Sequence, residues 1–228
     1  MSARDAILQR IRRALSKPAV GHGVPDPDAP LPDMAALRSA LPPVPATREG
    51  QIQLFARHCQ QLRASLVKAN DFAAAAAYIR RLAQEEHWKR LATHAGKLTD
   101  PIVASAGLPV LRTSEPYVAE ELAQCDAGVT ECEALIAQTG SVLASSARCG
   151  GRALSVLPPH HIVLATLDQL LPDLTAGYEH LARTYKNNPP TWAGLITGPS
   201  RTGDIERILV LGAHGPKRLT IIVVNEPA

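Results

Sequence analysis

The chain has 228 residues, of which 46% are hydrophobic, and its 24 Lys and Arg residues against 21 Asp and Glu leave a formal charge of +3. This length is enough to bury the core of one α/β domain with a small appendage, and the apolar content excludes an intrinsically disordered chain. Four cysteines are too few for a disulfide scaffold, and the small charge, with no dense basic stripe, excludes a typical nucleic-acid binder.

The N-terminal region is predicted to form a helix followed by a linker. Apolar side chains recur there at helical spacing and indicate an amphipathic helix within residues 1–17: Ile7, Leu8, Ile11 and Leu15. Prolines are concentrated between Pro18 and Pro45, so residues 18–48 are expected to form an extended, Pro-rich linker. A helix held on such a linker is a candidate partner contact, for example in a homodimer.

Neither a targeting signal nor a membrane span is expected. The longest wholly apolar run, residues 72–79, is far shorter than the ~20 residues that cross a bilayer. An Arg-rich start also suits an organelle transit peptide, but Asp5 and the prolines that follow favour a docking helix in a cytoplasmic protein. The cysteines form neither a C-x-x-C pair nor a regularly spaced quartet, which predicts buried free thiols and no metal site.

Residues 49–228 alternate short apolar segments with helical ones, which predicts an α/β domain. Helices are predicted over residues 52–66, 72–83, 118–124, 167–184 and 204–210, with 134–137 also helix-like and Asp71 as an N-cap. Strands are predicted over residues 90–93, 102–104, 109–111, 128–130, 141–145, 160–166, 192–197 and 219–224. Continuous Val, Ile and Leu in these strands indicate a three-layer fold with a largely parallel sheet covered on both faces.

The strongest chemical signal follows the predicted strand 192–197. Small residues there form a turn before a predicted helix that begins near Asp204, so unpaired N–H groups would face an anion at the positive end of the helix dipole. Arg201 adds a planar fork suited to carboxylate or phosphate. The residues assigned to this anion-binding loop are Gly198, Ser200, Arg201, Thr202, Gly203 and Asp204. A capped helix start is the alternative interpretation, because the carboxylate of Asp204 would compete with an anionic ligand.

Two further loops carry small, hydroxyl-bearing or cationic residues, and the three loops together predict one shared pocket. The first contributes Gln138, Thr139, Gly140 and Ser141, and the second contributes His214, Gly215 and Lys217. Each loop by itself is more typical of a simple connection. Glu131 and Glu133 could act as general acids or bases, although exposed residues at a helix start are favoured. No catalytic residue is assigned.

Several motifs in the same order resemble the LUD-domain family: residues 126–130, 137–141, 154–162, 197–206 and 210–217. The resemblance covers residues 50–226. It implies a NagB/RpiA/CoA-transferase-like fold and a part in oxidising L-lactate to pyruvate, with iron–sulfur clusters on partner proteins and no cofactor in this chain. The family often has an acidic residue where this chain has Gln138, and an amide cannot be the nucleophile of CoA-transferase chemistry.

The resemblance and the loops together predict a subunit of a multi-protein, lactate-oxidising system that binds a small anionic metabolite. Two alternatives stay open from the sequence. One is a stand-alone transferase or isomerase that acts on a phosphorylated or CoA-linked metabolite, and the other is a non-catalytic assembly or regulatory module. The sequence leaves open whether the chain is an enzyme by itself.

Overall fold

The computed structural model describes residues 3–15, 41–202, 210–212 and 214–225. Contacts divide the chain into two compact units, Met1–Pro42 and Pro43–Ala228. In the first unit, helix α1 (Ala3–Leu15) matches the predicted N-terminal helix, and the side chains of Ile7 and Leu8 are exposed. Residues 18–40, which are most of the predicted linker, lie outside the described residues. Within the described ranges, no helix is both long and apolar enough to cross a membrane.

Three of the five helices described in the second unit begin after a residue whose side chain accepts a hydrogen bond from the first turn. The described helices are α2 (Arg48–Gln61), α3 (Phe72–Glu85), α4 (Thr99–Ala106), α5 (Ala119–Ala123) and α6 (Leu174–Tyr185). Asp71 accepts from the Ala74 amide at 2.7 Å, which confirms the predicted cap of α3. Asp173 caps α6 in the same way, directly after the helix-breaking Pro172.

The strands of the second unit form a large parallel sheet, a smaller mixed sheet and a short hairpin. The main sheet contains β1 (Ser65–Ala69), β2 (Leu91–Thr93), β3 (Val110–Arg112), β4 (Ala127–Thr130), β7 (His160–Thr166) and β12 (Arg218–Val224). The second sheet contains β5 (Ala134–Ile136), β6 (Ser141–Ser145), β8 (Leu170–Leu171) and β9 (Ala193–Ile196). The hairpin pairs β10 (Arg201–Thr202) with β11 (Val210–Leu211).

The main sheet has the strand order β1-β12-β7-β4-β2-β3, and all of its described pairs are parallel. Helices α3 and α4 cover one face, where Ile162 and Ile222 are buried. Helix α2 and the second sheet cover the other face, where Val163 and Ile221 are buried. Neighbouring strand residues therefore point into two separate cores, as expected of a parallel sheet enclosed on both sides. The predicted α/β class with a largely parallel sheet is confirmed.

Four secondary-structure predictions were wrong, and each concerned a short apolar run. In the predicted helix over residues 167–184, Leu167–Gln169 form a 3-10 turn and Leu170–Leu171 form β8, so α6 begins only at Leu174. Residues 102–104 lie in helix α4 instead of a strand. Residues 134–136 form strand β5 instead of a helix, because they pair with both β6 and β8. Leu66 belongs to β1, since α2 ends at Gln61 and leaves room for an edge strand. Such runs fit a helix or a strand equally well until their tertiary partners are known.

The predicted helix over residues 204–210 falls mostly outside the described residues. At its borders the chain is extended: Arg201 and Thr202 form β10, and Val210 pairs with Thr202 across the hairpin. The prediction of a loop at Arg201 and Thr202 is therefore corrected to a strand. Val210 is likewise a strand residue rather than the end of a helix.

His160 and His161 are consecutive residues of β7, so their side chains point to opposite faces of the main sheet. The Nε2 atom of His160 lies 2.8 Å from Oγ1 of Thr220, and Nε2 of His161 lies 2.8 Å from Oγ1 of Thr130. Burial, followed by the charge of His160, lowers the pKa of His161 to about 3. His161 is therefore neutral in the folded protein at any pH near neutrality.

We expect His161→Gln to flatten the pH dependence of the unfolding free energy. The folded pKa lies below the unfolded value of 6.5, so the unfolded chain binds the extra proton as the pH falls. The contribution of neutral His161 to the unfolding free energy is fully present above the unfolded-state pKa and is lost as the pH falls towards the folded-state pKa. We expect a loss of about 2 kcal/mol between about pH 6.5 and pH 5. Urea unfolding followed by circular dichroism measures this loss. Parallel curves for wild type and His161→Gln would contradict it, and the exposed His214→Gln is the matched control.

Candidate functional site

The loop over residues 138–141 contacts the end of β9 through hydroxyl groups. Oγ of Ser141 lies 2.7 Å from Oγ1 of Thr139 and 2.7 Å from Oγ1 of Thr197. Ser141 is buried, while Gly140 has a φ of +66° and packs so closely on α2 that a Cβ there would lie 2.5 Å from Cβ of His58. Two of the three predicted loops are therefore neighbours.

The third loop joins them through its backbone. The amide of Ser200 donates to the carbonyl of Pro216 at 2.9 Å, and the amide of Gly212 donates to the carbonyl of Ser200 at 3.1 Å. Gly215 packs against the Ser200 side chain, where an added Cβ would lie 3.2 Å away. The side chains of His214 and Lys217 are exposed. The structure thus brings all three predicted loops to one end of the second sheet.

The predicted anion loop is fastened to the end of helix α2. The guanidinium of Arg201 donates to the carbonyl of Leu62, the C-cap of α2. Gly198 has a φ of +88°, and a Cβ there would lie 3.0 Å from the same carbonyl. One donor of Arg201 and the Ser200 amide are therefore engaged within the chain. Among the described residues the other guanidinium N–H groups have no hydrogen-bond acceptor, and they are the donors that an anion could use.

The remaining predicted residues differ in their surroundings. Gln138 is buried, and its Oε1 accepts from the Leu174 amide at the start of α6 at 3.4 Å. Gly203 and Asp204 lie outside the described residues. The strand that precedes the loop, β9, runs antiparallel to β6 in the second sheet. The loop thus follows a strand of the smaller mixed sheet, and the rule that ligands bind at the carboxyl edge of an open parallel sheet does not apply to it.

Glu131 lies at the carboxyl end of β4 and caps helix α4. Its Oε1 accepts from the amides of Leu98 at 2.8 Å and Thr99 at 3.2 Å. The Glu131 amide donates to Nε2 of His94 at 3.1 Å, while Nδ1 of His94 lies 2.8 Å from the Ala95 carbonyl, which identifies a neutral imidazole with its proton on Nδ1. The crevice between β2 and β4 is thus filled by the chain's own carboxylate at a helix N-terminus.

Glu133 is the centre of a second buried polar cluster, which joins β5, β6 and α6. Its Oε1 accepts from the hydroxyls of Ser145 and Tyr185, the latter at 2.5 Å. Its Oε2 lies 3.5 Å from Nε2 of His180, and neither atom has a hydrogen-bond partner among the residues that the structure describes. Burial, and then the hydrogen bond to Glu133, raise the pKa of Tyr185. Glu133 thus links the second sheet to α6 through Ser145 and Tyr185.

The prediction that Glu131 and Glu133 are exposed at a helix start was wrong. Both carboxylates are buried, Glu133 with a side-chain exposure of 0%. Two acidic residues separated by one position, directly after a fully buried parallel strand, were the signal that could have located them. Among the described residues, no group of three or more His, Cys, Asp or Glu side chains is arranged to hold a metal ion.

Comparison with known proteins identifies relatives of similar fold and sequence. The chain is 38% identical over 123 residues to "Lactate utilization protein C" of Deinococcus radiodurans, which covers 53% of this chain and 57% of that protein. It is 32% identical over 105 residues to the protein of the same name from Bacillus subtilis, covering 45% and 44% of the two chains. The matched segment spans about half the length of these curated relatives.

A solved structure and a family model extend the match beyond these segments. The crystal structure of a "duf162 family protein" from Deinococcus radiodurans superposes with a TM-score of 0.65 and 27% identity, covering 79% of this chain and 100% of that one. The model of the LUD domain matches residues 52–224, which include every described strand of the main sheet and the second sheet. The chain therefore belongs to the LUD domain family.

Proposed function

We propose that this chain is a subunit of a multi-protein system that oxidises L-lactate to pyruvate. The observation that carries the proposal is the set of relatives named for lactate utilisation, at 31–38% identity over about half of the chain. The family match over residues 52–224 supports it, because it covers both sheets on which the three loops are built.

In this proposal the three adjacent loops hold the small anion. L-Lactate carries one carboxylate and one hydroxyl. The guanidinium N–H groups of Arg201 that do not contact Leu62 suit the carboxylate, and the linked hydroxyls of Ser141 and Thr197 suit the hydroxyl. Oxidation to pyruvate releases two electrons and two protons, and the electrons pass to iron–sulfur clusters on partner proteins. The exposed apolar residues of α1, Ile7 and Leu8, support a contact with a second copy or with those partners.

Growth on L-lactate tests the proposed pathway. Deleting the gene is expected to stop growth on L-lactate as the sole carbon source while leaving growth on glucose unchanged, and a plasmid copy of the full chain should restore it. Normal growth of the deletion strain on L-lactate would contradict the proposal.

Arg201→Met tests the proposed anion site. We expect it to weaken binding of L-lactate to the purified chain about tenfold in isothermal titration calorimetry, because a charge-assisted hydrogen bond is lost. Arg57→Met, an exposed arginine on α2, is the matched control and should bind as the wild type does. Thermal unfolding of both variants checks that loss of the Leu62 contact has not unfolded the loop. Equal affinity of wild type and Arg201→Met would refute the site and leave the growth result unaffected.

A further inference from the structure

A second crevice at the carboxyl edge of the main sheet is open. After β1 the chain turns into α3 on one face of the sheet, and after β7 it turns into residues 167–171 on the other face. These two connections thus leave opposite faces of the sheet, on either side of β12, and leave space beyond its carboxyl end. A cavity of about 210 Å³ lies at this position, whereas the crevice between β2 and β4 is filled by Glu131.

The walls of this cavity are apolar and come from three separate parts of the fold. Helix α2, the strands β1 and β12, and the second sheet with the segment before β8 contribute Ile52, Phe55, Leu66, Leu135, Leu170 and Val223. The cavity has room for about seven groups of the size of a water molecule, each of which occupies about 30 Å³. It therefore suits a short hydrocarbon chain or a small ring.

Hydrogen bonds fix the positions of the cavity walls relative to one another. The guanidinium of Arg48 on α2 donates to the carbonyls of Leu167 and Leu170. The side-chain amide of Gln169 donates to the carbonyl of Cys132 at 2.7 Å. The segment that forms one wall is thus tied both to α2 and to the connection after β4, so the cavity is pre-formed.

The mouth of the cavity is polar and carries one cation. Lys68, Asn70 and Asn225 line it, and all three residues are exposed. Lys68 lies on the same face of β1 as Leu66, two positions earlier. Within the described part of the chain, no carboxylate lies within ion-pair distance of Lys68. The opening thus combines two amides and an ammonium group that has no carboxylate partner among the described residues with an apolar interior.

We propose that this cavity binds a small amphipathic monoanion. Its apolar body lies among Phe55, Leu66 and Leu170, and its anionic head lies at Lys68 between the amides of Asn70 and Asn225. L-Lactate has a single methyl group and cannot fill such a space, so this site takes a ligand different from the proposed substrate. The inference goes beyond the proposed function, and its failure would leave that function intact.

Calorimetric titration of the purified full chain with octanoate tests the proposal. We expect saturable binding of one octanoate per chain and about fivefold weaker binding to Lys68→Met, which keeps the aliphatic stem but removes the charge. Lys89→Met is the matched control. Lys89 is an exposed lysine just before β2, at the amino ends of the strands, whereas the cavity lies at their carboxyl ends. Octan-1-ol, which has the same chain and no charge, is expected to bind more weakly than octanoate.

Leu66→Trp supplies a second, independent variant, since the indole would occupy the cavity and abolish octanoate binding. Thermal unfolding shows whether Leu66→Trp is folded. If it is not, the octanoate affinity of Lys68→Met relative to that of the wild type tests the proposal. The proposal is overturned by non-saturable octanoate uptake, by equal affinities of wild type and Lys68→Met, or by octan-1-ol binding as tightly as octanoate. Octanoate affinity that falls as the protein concentration rises would identify a second copy of the chain as the occupant and would also overturn it.

Discussion

Replacing Glu133 by Ala is expected to lower the free energy of unfolding by about 3 kcal/mol. The carboxylate accepts from the hydroxyls of Ser145 and Tyr185, and Ser145 is completely buried. Removing their shared acceptor leaves the buried Ser145 hydroxyl with a single long contact, 3.4 Å to the hydroxyl of the half-buried Tyr185, and it weakens the link between the end of α6 and β6. Such a loss exceeds that of an ordinary surface hydrogen bond, because an unsatisfied buried donor bears its full desolvation cost.

Glu133→Gln is the matched control for this experiment. The amide keeps an oxygen for the two hydroxyls and gains an N–H that can donate towards Nε2 of His180, 3.5 Å from the present Oε2. We therefore expect Glu133→Gln to remain within about 1 kcal/mol of the wild type in urea unfolding. A loss in Glu133→Ala below about 1 kcal/mol would show that the cluster does not fasten α6 to the second sheet.

Ile162→Ala is expected to be at least as destabilising, by about 4 kcal/mol. Ile162 lies on β7, between β12 and β4, and has an exposure of 0%. It belongs to the core beneath α3 and α4, in a cluster with Ile79, Ile102 and Ile222. Removing three carbon atoms there leaves a cavity that two packed helices and neighbouring strands cannot collapse to fill.

Two further substitutions give reference values for this loss of stability. Ile162→Val removes one carbon and should cost about 1 kcal/mol. Ile7→Ala, on the exposed side of α1, should change the stability of the second unit by less than about 0.5 kcal/mol. Chemical unfolding at a single pH gives all three values. Similar losses for Ile162→Ala and Ile162→Val would contradict tight packing at this position.

The long strands could be predicted from the sequence because their uninterrupted apolar runs are rich in Ile, Val and Leu. Residues 160–166 coincide with β7, and residues 219–224 fall within β12. Residues 102–104 could not be assigned in the same way. Their Ile and Val favour a strand, but Glu131, far along the chain, accepts from the amides of Leu98 and Thr99 and stabilises the start of a helix.

The same limit applies to the candidate site. Turn-forming glycines at positions 140 and 198 could be recognised locally, because their backbones adopt a positive φ. The burial of Glu133 could not, since it depends on Tyr185 and His180 on a helix that follows much later in the sequence. The cavity beside Lys68 likewise requires α2, β12 and the segment before β8 together, so no single stretch of sequence contains its signal.

The position of β12 has a consequence for synthesis on the ribosome. This strand comes last among the described strands but lies between β1 and β7, and it supplies the neighbour of Ser65–Ala69 in the sheet. During synthesis β1 therefore emerges before β12, its hydrogen-bonding partner in the sheet, has been made. Until Val224 has been added, the backbone N–H and C=O groups of β1 stay unpaired and accessible to chaperones and to other chains. A premature stop just before Arg218 would remove the pairing of β12 with both β1 and β7. The main sheet can therefore form completely only after β12 has been translated.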